Sequence, residues 1–154
     1  MNSRNDRVDL TRRALLGGAA GLALARPAFA TPESMQAAIG EIVRGRPLRD
    51  GKVTLDIQPL IDNGNTVPMR VSVDSPMNDA DRVRAIHVFN ERNPQPHVLS
   101  VSFGPMAGKA ELATRIKLGD TQKVIAIAEM QDGTLWRASV DVIVTIAACI
   151  EGLE

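Results

Sequence analysis

Short runs in which apolar and polar residues alternate fill most of the chain after Asp50, and they constrain its fold more than any other feature. Alternation with a period of two is typical of β-strands that bury one face. The runs lie at residues 53–57, 67–73, 86–88, 99–103 and 110–118. Turn signals separate them, and Asp132-Gly133 is the strongest hairpin signal. About eight strands at spacings of roughly 8–12 residues, without intervening helices, predict an all-β fold, an immunoglobulin-like antiparallel β-sandwich.

Three segments carry signals of their position in a sheet. The sequence VIAIAEM, which starts at Val124, is apolar almost throughout, and this predicts a central strand. Pro68 has no N–H group for a sheet hydrogen bond, so its run is predicted to be an edge strand or to contain a bulge. After the hairpin turn, Leu135-Trp136-Arg137 leads to a final strand that begins at Val140.

One short helix is predicted before the strands, over roughly residues 32–44. Thr31 is a suitable N-cap residue, and Pro32 suits the first helical position. An apolar stripe with helical spacing follows, formed by Met35, Ile39, Ile42 and Val43. Gly45 is predicted to follow the helix C-terminus, where glycine is common.

The first thirty residues are predicted to be an export signal and not part of the folded domain. Arg12-Arg13 precedes an apolar run that ends near Ala25, and Ala28-Phe29-Ala30 supplies small residues for cleavage after Ala30. The arginine pair is typical of twin-arginine signals, which export folded proteins to the periplasm. The predicted organisation is a leader at 1–30, a sandwich domain with its helix at 31–146, and a C-terminal arm at 147–154.

Charge and motifs exclude several function classes. The 18 basic and 18 acidic residues balance, so no basic surface for nucleic acid or membranes is expected. The sequence has no nucleophile elbow, no glycine-rich phosphate loop and no paired-cysteine motif. We therefore expect no enzymatic activity, no cofactor and no metal.

Two groups of side chains have alternative interpretations. His87 and His97, the only histidines, could bind a metal together with methionines, as a copper chaperone would, but their spacing fits no ligand template. Ordinary surface or core histidines are the favoured interpretation. Arg70, Arg115 and Lys117 could form a small anion site, but solvated strand faces are the favoured interpretation.

Cys149 is the only cysteine, and it follows the last strand after Ala147-Ala148. An odd cysteine in an exported protein indicates intermolecular pairing or a reactive thiol. The alternative is a small apolar residue buried under the strand. Glu151 and Glu154 are close in sequence, and their charges are expected to raise the pKa of the thiol.

Four segments resemble the SoxY family, the sulfur carrier subunits of the periplasmic thiosulfate-oxidising (Sox) system. They are DNGNTVPMRVSVDSPM (62–77), NPQPHVLSVSF (93–103), KAELATRIKLGDTQKVIAIAEMQDGTLWRA (109–138) and VTIAAC (144–149). The resemblance implies an immunoglobulin-like sandwich that forms a heterodimer with a second sandwich, SoxZ. It also implies that the Cys149 thiol covalently holds thiosulfate-derived sulfur on a swinging arm, while the carrier itself catalyses nothing.

The resemblance further implies three enzyme partners: a haem enzyme that conjugates thiosulfate, a dimanganese hydrolase that releases sulfate, and a molybdenum–haem dehydrogenase. The arm departs from the family pattern of Gly-Gly-Cys-Gly-Gly. Ala147 and Ala148 precede the cysteine, and Ile150-Glu151-Gly152-Leu153-Glu154 follows it. Bulk and negative charge beside the thiol are expected to hinder access to the usual enzyme sites. The alternative function is a non-catalytic structural subunit whose Cys149 is buried or only crosslinks.

Overall fold

The computed structural model describes residues 29–147, so the predicted leader up to Ala28 and the segment 148–154 with Cys149 lie outside the described residues. The described part contains one α-helix and nine β-strands. Their bounds are α1 Pro32–Val43, β1 Leu48–Asp50, β2 Val53–Asp56, β3 Leu60–Asn63, β4 Val67–Val73, β5 Val83–Asn90, β6 His97–Ser102, β7 Glu111–Ile116, β8 Gln122–Met130 and β9 Leu135–Ile146.

The strands form two sheets. In the larger sheet the order is β1-β9-β8-β5-β6, and β3 also pairs with β9, while the smaller sheet has the order β2-β4-β7. The pairs β8–β9, β5–β8 and β5–β6 are antiparallel, whereas β1 and β3 pair with β9 in parallel. Strand β8 lies between β9 and β5, which confirms the central position predicted from its apolar sequence.

Two hydrophobic clusters hold the layers together. The larger one fills the space between the sheets and includes buried side chains such as Val71, Val88 and Val142. The smaller one lies on the opposite face of the larger sheet, where Met35 and Ile39 of α1 contact Phe89 and other side chains. Strands β5 and β8 are therefore buried on both faces, which explains their nearly continuous apolar sequences.

The helix begins and ends as its sequence predicts. The Thr31 hydroxyl accepts a hydrogen bond from the Ser34 amide at 3.2 Å, and the Ser34 hydroxyl accepts one from the Thr31 amide at 2.8 Å, which together form a capping box. At the other end Arg44 adopts the left-handed conformation, and Gly45 follows with φ of 77°. Arg46 satisfies two terminal carbonyls, those of Ile42 at 2.7 Å and Val43 at 3.0 Å. No helix in the described part is long and apolar enough to cross a membrane.

The predicted all-β sandwich with a short N-terminal helix is confirmed, but three details of the strand predictions were wrong. Pro68 lies in β4, which is the central strand of the smaller sheet and not an edge strand. Strand β2 pairs with β4 only as far as Arg70, so the missing N–H group of Pro68 interrupts no hydrogen bond to β2. The last strand, β9, begins at Leu135 and not at Val140 as predicted. The parallel strands β1 and β3 were missed because three or four residues of mixed polarity carry no period-two signal.

Candidate functional site

The end of β9 is the part of the structure closest in sequence to the predicted thiol. Cys149 itself lies outside the described residues, and β9 ends at Ile146, with Ala147 exposed beyond it. The described residues therefore define the point on the domain from which the segment carrying Cys149 leaves.

Hydrogen bonds hold β9 on both sides as far as its last residue. On one side, the Ile143 amide donates to the Pro59 carbonyl at 2.8 Å, and the Ile146 carbonyl accepts from the Gly64 amide at 2.9 Å. On the other side, the Val144 amide donates to the Thr121 hydroxyl at 3.0 Å. Because both edges of this strand end are satisfied, its position is fixed relative to the sandwich. We refer to this strand end, residues 143–147, as the arm root.

The residues that hold the arm root were not recognised as such in the sequence. Asp62–Asn65 consists of residues typical of turns, yet β3 and Gly64 bond to β9 there. Thr121 follows Gly119-Asp120, which are also typical turn residues, and no sequence pattern distinguishes its hydroxyl from that of an ordinary turn residue. Only the three-dimensional pairing identifies these partners.

An exposed apolar pair lies beside the arm root. Leu60 of β3 and Ile143 of β9 are register partners, and more than half of each side chain is exposed. Ile146 is also exposed at the end of the strand. Neighbouring exposed apolar side chains next to a functional segment are typical of a docking surface.

The predicted leader junction lies at the same end of the sandwich. Ala30 is buried, and its amide donates to the Asn93 carbonyl at 2.8 Å. The Asn93 side chain in turn accepts from the Gly119 amide at 3.0 Å. Gly119 and Thr121 belong to one loop, so the same loop contacts both the start of the domain and the arm root.

The two histidines meet at one serine. The Ser100 hydroxyl lies 2.6 Å from His87 Nδ1 and 2.8 Å from His97 Nε2. Burial lowers the pKa of His87, the Glu129 carboxylate raises it and His97 lowers it, so that the net shift is downward. Within residues 29–147, no group of three or more His, Cys, Asp or Glu side chains is arranged to hold a metal ion.

The histidine pair is far from the arm root. His87 pairs with Ile127, which pairs with Arg137 of β9, ten residues before Ala147. At ~3.3 Å per strand residue, the separation along β9 is about 33 Å. Two further residues add only about 7 Å of reach, so neither histidine can act on a thiol at position 149 of the same chain.

The arginines predicted as an anion site are only partly brought together. Arg70 and Arg115 line one open cavity of about 800 Å³ on the outer face of the smaller sheet. Arg70 forms an ion pair with Glu111, and Asp56 also lines the cavity. Lys117 is not among the lining residues. The acidic neighbours offset the positive charge, which favours a solvated strand face.

A comparison with protein families identifies the chain. The family model described as "Sulfur oxidation protein SoxY" matches residues 39–149, so the match covers most of the described domain and ends at Cys149. The chain belongs to the SoxY family. This confirms the resemblance drawn from the four sequence segments. A comparison with curated proteins gives no match.

Solved structures with the same fold include a SoxY protein and several superoxide reductases. The sulfur carrier protein SoxY from Chlorobium limicola f thiosulfatophilum aligns with a TM-score of 0.62 and 24% identity, over 75% of this chain and 100% of that chain. A superoxide reductase (neelaredoxin) from Ignicoccus hospitalis aligns with a TM-score of 0.54 and 21% identity, over 75% and 94%. The enzyme from Nanoarchaeum equitans aligns at 0.52 and 14%, over 62% and 100%. At these identities the similarity establishes the fold alone.

Proposed function

We propose that this protein is a sulfur carrier and that the Cys149 thiol is its point of covalent attachment. The observation that carries the proposal is the family match, which extends through the arm root to end at the only cysteine of the chain. The fold shared with a SoxY sulfur carrier supports the same conclusion. On this proposal the protein performs no catalysis, and residues 147–154 form the arm.

The arm root supports presentation of a thiol to other proteins. Its last ladder contact is at Ile146, and Ala147 is exposed. Cys149 is two residues beyond Ala147 in the sequence, so the chain allows a separation of at most about 7 Å between them. Alanines at 147 and 148 keep this segment slim, although stiffer than the glycines of the family pattern.

The proposed chemistry requires an external oxidant. The Cys149 thiolate and the terminal sulfur of thiosulfate form an S–S bond, and the two electrons released pass to a haem enzyme partner. Water then cleaves the bond between the former terminal sulfur of thiosulfate and the sulfonate sulfur. The products are sulfate, the protons released from water, and a persulfide on Cys149. The protein supplies the sulfur atom and its position, while the partners supply redox and hydrolytic groups.

The residues after Cys149 set the reactivity of this thiol. Glu151 and Glu154 disfavour the thiolate, so their charges raise the pKa of Cys149 and oppose approach of the thiosulfate dianion. A partner surface that presents cations to the arm reverses both effects on docking. We propose that Ile150 and these acids select a partner set different from that of carriers with glycines on both sides of the cysteine.

We propose a SoxZ-like sandwich as the heterodimer partner, with the haem, dimanganese and molybdenum enzymes as visitors to the arm. The exposed pair Leu60 and Ile143 supports a partner contact beside the arm root. We also propose export to the periplasm through Arg12-Arg13, with cleavage after Ala30. Cleavage there removes the Ala30–Asn93 hydrogen bond but leaves Thr31 as the helix N-cap.

Intact-protein mass spectrometry tests the carrier function. The mature protein is incubated with thiosulfate and an oxidising haem partner, and we expect a mass increase of one thiosulfate group located on Cys149. Cys149→Ser removes the acceptor and serves as the control. Ile150→Gly keeps the thiol and tests the effect of bulk beside it, and we expect faster loading.

Two results contradict the carrier proposal. One is an unchanged mass, together with alkylation of Cys149 that is slow in the native state and rapid in urea. The other is a Cys149→Ser variant that supports thiosulfate oxidation as well as the wild type does. Either result favours a structural subunit in which the cysteine is buried or only crosslinks.

A further inference from the structure

A groove crosses the outer face of the larger sheet beside the C-terminal end of α1. It consists of two adjoining cavities of about 500 and 360 Å³, and both are lined by Arg84, His87 and Glu129. The first cavity also contacts Glu41, Arg44 and Arg46, so three arginines face two glutamates there. This local excess of positive charge stands out in a chain whose total charge is balanced.

A β-bulge places Arg84 in the groove. The pairing of β5 with β8 shifts register between Val83 and Ala85, so both Arg84 and Ala85 lie on the side of the sheet that faces His87. The Arg84 side chain is 57% exposed, and its nearest carboxylate oxygen, on Glu129, is 4.0 Å away. Bulges commonly redirect a side chain toward a functional site.

Arg46 leaves Arg84 without a strong acidic partner. Its guanidinium contacts the Glu129 carboxylate at 2.9 Å and also bonds to carbonyl oxygens at the end of α1. Glu129 and the negative end of the helix are thus neutralised by one side chain. Arg44 bonds to the Glu41 carbonyl and Arg82 to Gln131 Oε1. Among the guanidinium groups that line the groove in the described part of the chain, that of Arg84 is the one that forms no hydrogen bond.

His87 forms the floor of the groove and has one unsatisfied nitrogen. The residue is only 8% exposed, and its Nε2 has no hydrogen-bond partner among the described residues. Its Nδ1 is fixed by Ser100 at 2.6 Å. A buried polar atom without a partner is unfavourable, so a ligand that pairs with Nε2 removes this cost.

The Ser100 hydroxyl links the state of His87 to that of His97. It carries one hydrogen, so it donates to one imidazole and accepts from the other. If it donates to His87 Nδ1 and accepts from His97 Nε2, then His87 carries its own hydrogen on Nε2. In that arrangement His87 carries an unpartnered donor, Nε2–H, and it lines the same two cavities as the Arg84 guanidinium.

We propose that this groove binds a small dianionic oxyanion of the sulfate type, with the Arg84 guanidinium and the His87 Nε2–H group as its donors. An oxyanion is an acceptor with no hydrogens of its own, so it complements two donors, and charge-assisted bonds to it are the stronger kind. The site is level with Arg137 of β9, about 33 Å along the strand from Ala147. It is therefore separate from Cys149, and it stands whether or not the carrier proposal holds.

Binding is linked to protonation of His87. The titratable and charged groups that face it come from β5 and the residue before it, from β6 and β8, and from the end of α1. They are Arg82, Arg84, His97, Glu129, Glu41, Arg44 and Arg46. Burial lowers the pKa of His87 in the free protein. A bound dianion favours the imidazolium, so it raises this pKa, and the affinity increases as the pH falls.

Histidine NMR on the Cys149→Ser protein tests the site without thiol chemistry. Sodium sulfate, thiosulfate and phosphate are titrated separately at constant ionic strength, which is maintained with sodium chloride. We expect saturable shifts of the His87 imidazole resonances and a higher His87 pKa at saturation. Similar dissociation constants for the three anions indicate a general oxyanion site. Tighter binding of thiosulfate indicates a site that is selective for sulfur oxyanions. Both results support the proposal.

Two exposed arginines provide a matched pair of variants. Arg84→Gln removes one charge-assisted donor, and an expected loss of ~1.5–3 kcal/mol corresponds to weakening of about 10- to 150-fold. Arg92→Gln removes an exposed arginine that is paired with Asp120 at the other end of the sheet, and we expect no change. Shifts that sodium chloride alone reproduces, the absence of saturation, or equal losses in both variants overturn the proposal.

Discussion

Two buried amides near the arm root give the sharpest test of the polar interior. Asn90 is 0% exposed, and neither its side-chain nitrogen nor its side-chain oxygen has a partner among residues 29–147. Gln122, which is 4% exposed, is bonded throughout: its oxygen accepts from the Arg92 amide at 2.9 Å, and its nitrogen donates to Asn93 Oδ1 at 3.0 Å. The two side chains differ mainly in whether their polar atoms are satisfied.

Replacement by leucine is therefore expected to have opposite effects on stability at Asn90 and at Gln122. Asn90→Leu removes an unsatisfied donor and acceptor and keeps the same number of side-chain heavy atoms, and we expect the free energy of unfolding to rise by about 1–3 kcal/mol. Gln122→Leu leaves the Arg92 amide without its acceptor and removes one of the hydrogen bonds that Asn93 Oδ1 accepts, while the bond from the Gly119 amide remains. We expect a decrease of about 1–3 kcal/mol. For a domain of this size, each kcal/mol corresponds to about 3–5 °C in Tm.

Chemical and thermal denaturation of the two variants beside the wild type provide the measurement. The midpoint shifts are compared at unchanged m-value, so that a change in the unfolded state is recognised. A lower Tm for Asn90→Leu, of the same size as that for Gln122→Leu, refutes the reasoning. It means that the Asn90 amide is hydrogen-bonded in solution, as it would be to an ordered internal water.

Three further predictions concern the helix, the arm root and pH. Met35→Ala removes a fully buried side chain between α1 and the sheet, and denaturation should show a loss of about 2–5 kcal/mol; a loss below about 0.5 kcal/mol contradicts this packing. Thr121→Val removes the acceptor of the Val144 amide, so hydrogen exchange at Val144 should accelerate, while an unchanged rate argues against this anchor. For Glu129, burial raises the pKa, but the hydrogen bond and charge of Arg46 lower it more. Stability from the ionised carboxylate is therefore present above its ordinary pKa of 4.5 and is lost as the pH falls below that value. Glu129→Gln should flatten the stability profile below pH 4.5, and a profile parallel to that of the wild type excludes this contribution.

Much of the fold could be predicted because its signals are local. Alternation at 67–73 gave β4, the apolar run after Val124 gave the central strand β8, and Thr31 with Pro32 gave the start of α1. Each of these patterns arises within one element, where burial of one face or capping of one end determines residue type. The prediction for Pro68 was wrong because proline requires only that no neighbouring strand needs its missing N–H group. Whether β2 extends as far as Pro68 depends on the length of β2, which the sequence around Pro68 does not record.

The candidate site was predicted less completely, for a physical reason. Its predicted thiol, Cys149, follows from a single cysteine after the last strand, which the sequence states directly. The partners that hold the strand end are Pro59, Gly64 and Thr121, and these are backbone groups or a common hydroxyl. Such groups carry no residue-type signal, because almost any residue supplies a carbonyl or an amide.

The sequence by itself determined the class of fold, the helix at 32–43, the family and the one cysteine, since all of these are recorded in residue identities and their spacing. Only the tertiary structure decided that two short parallel strands pair with opposite ends of β9, that His87 and His97 meet at Ser100, and that Arg84 lies on the same side of the sheet as His87. These features depend on which strand edges remain unpaired after the main sheets form. That is a property of non-local pairing, to which no single segment of sequence is sensitive.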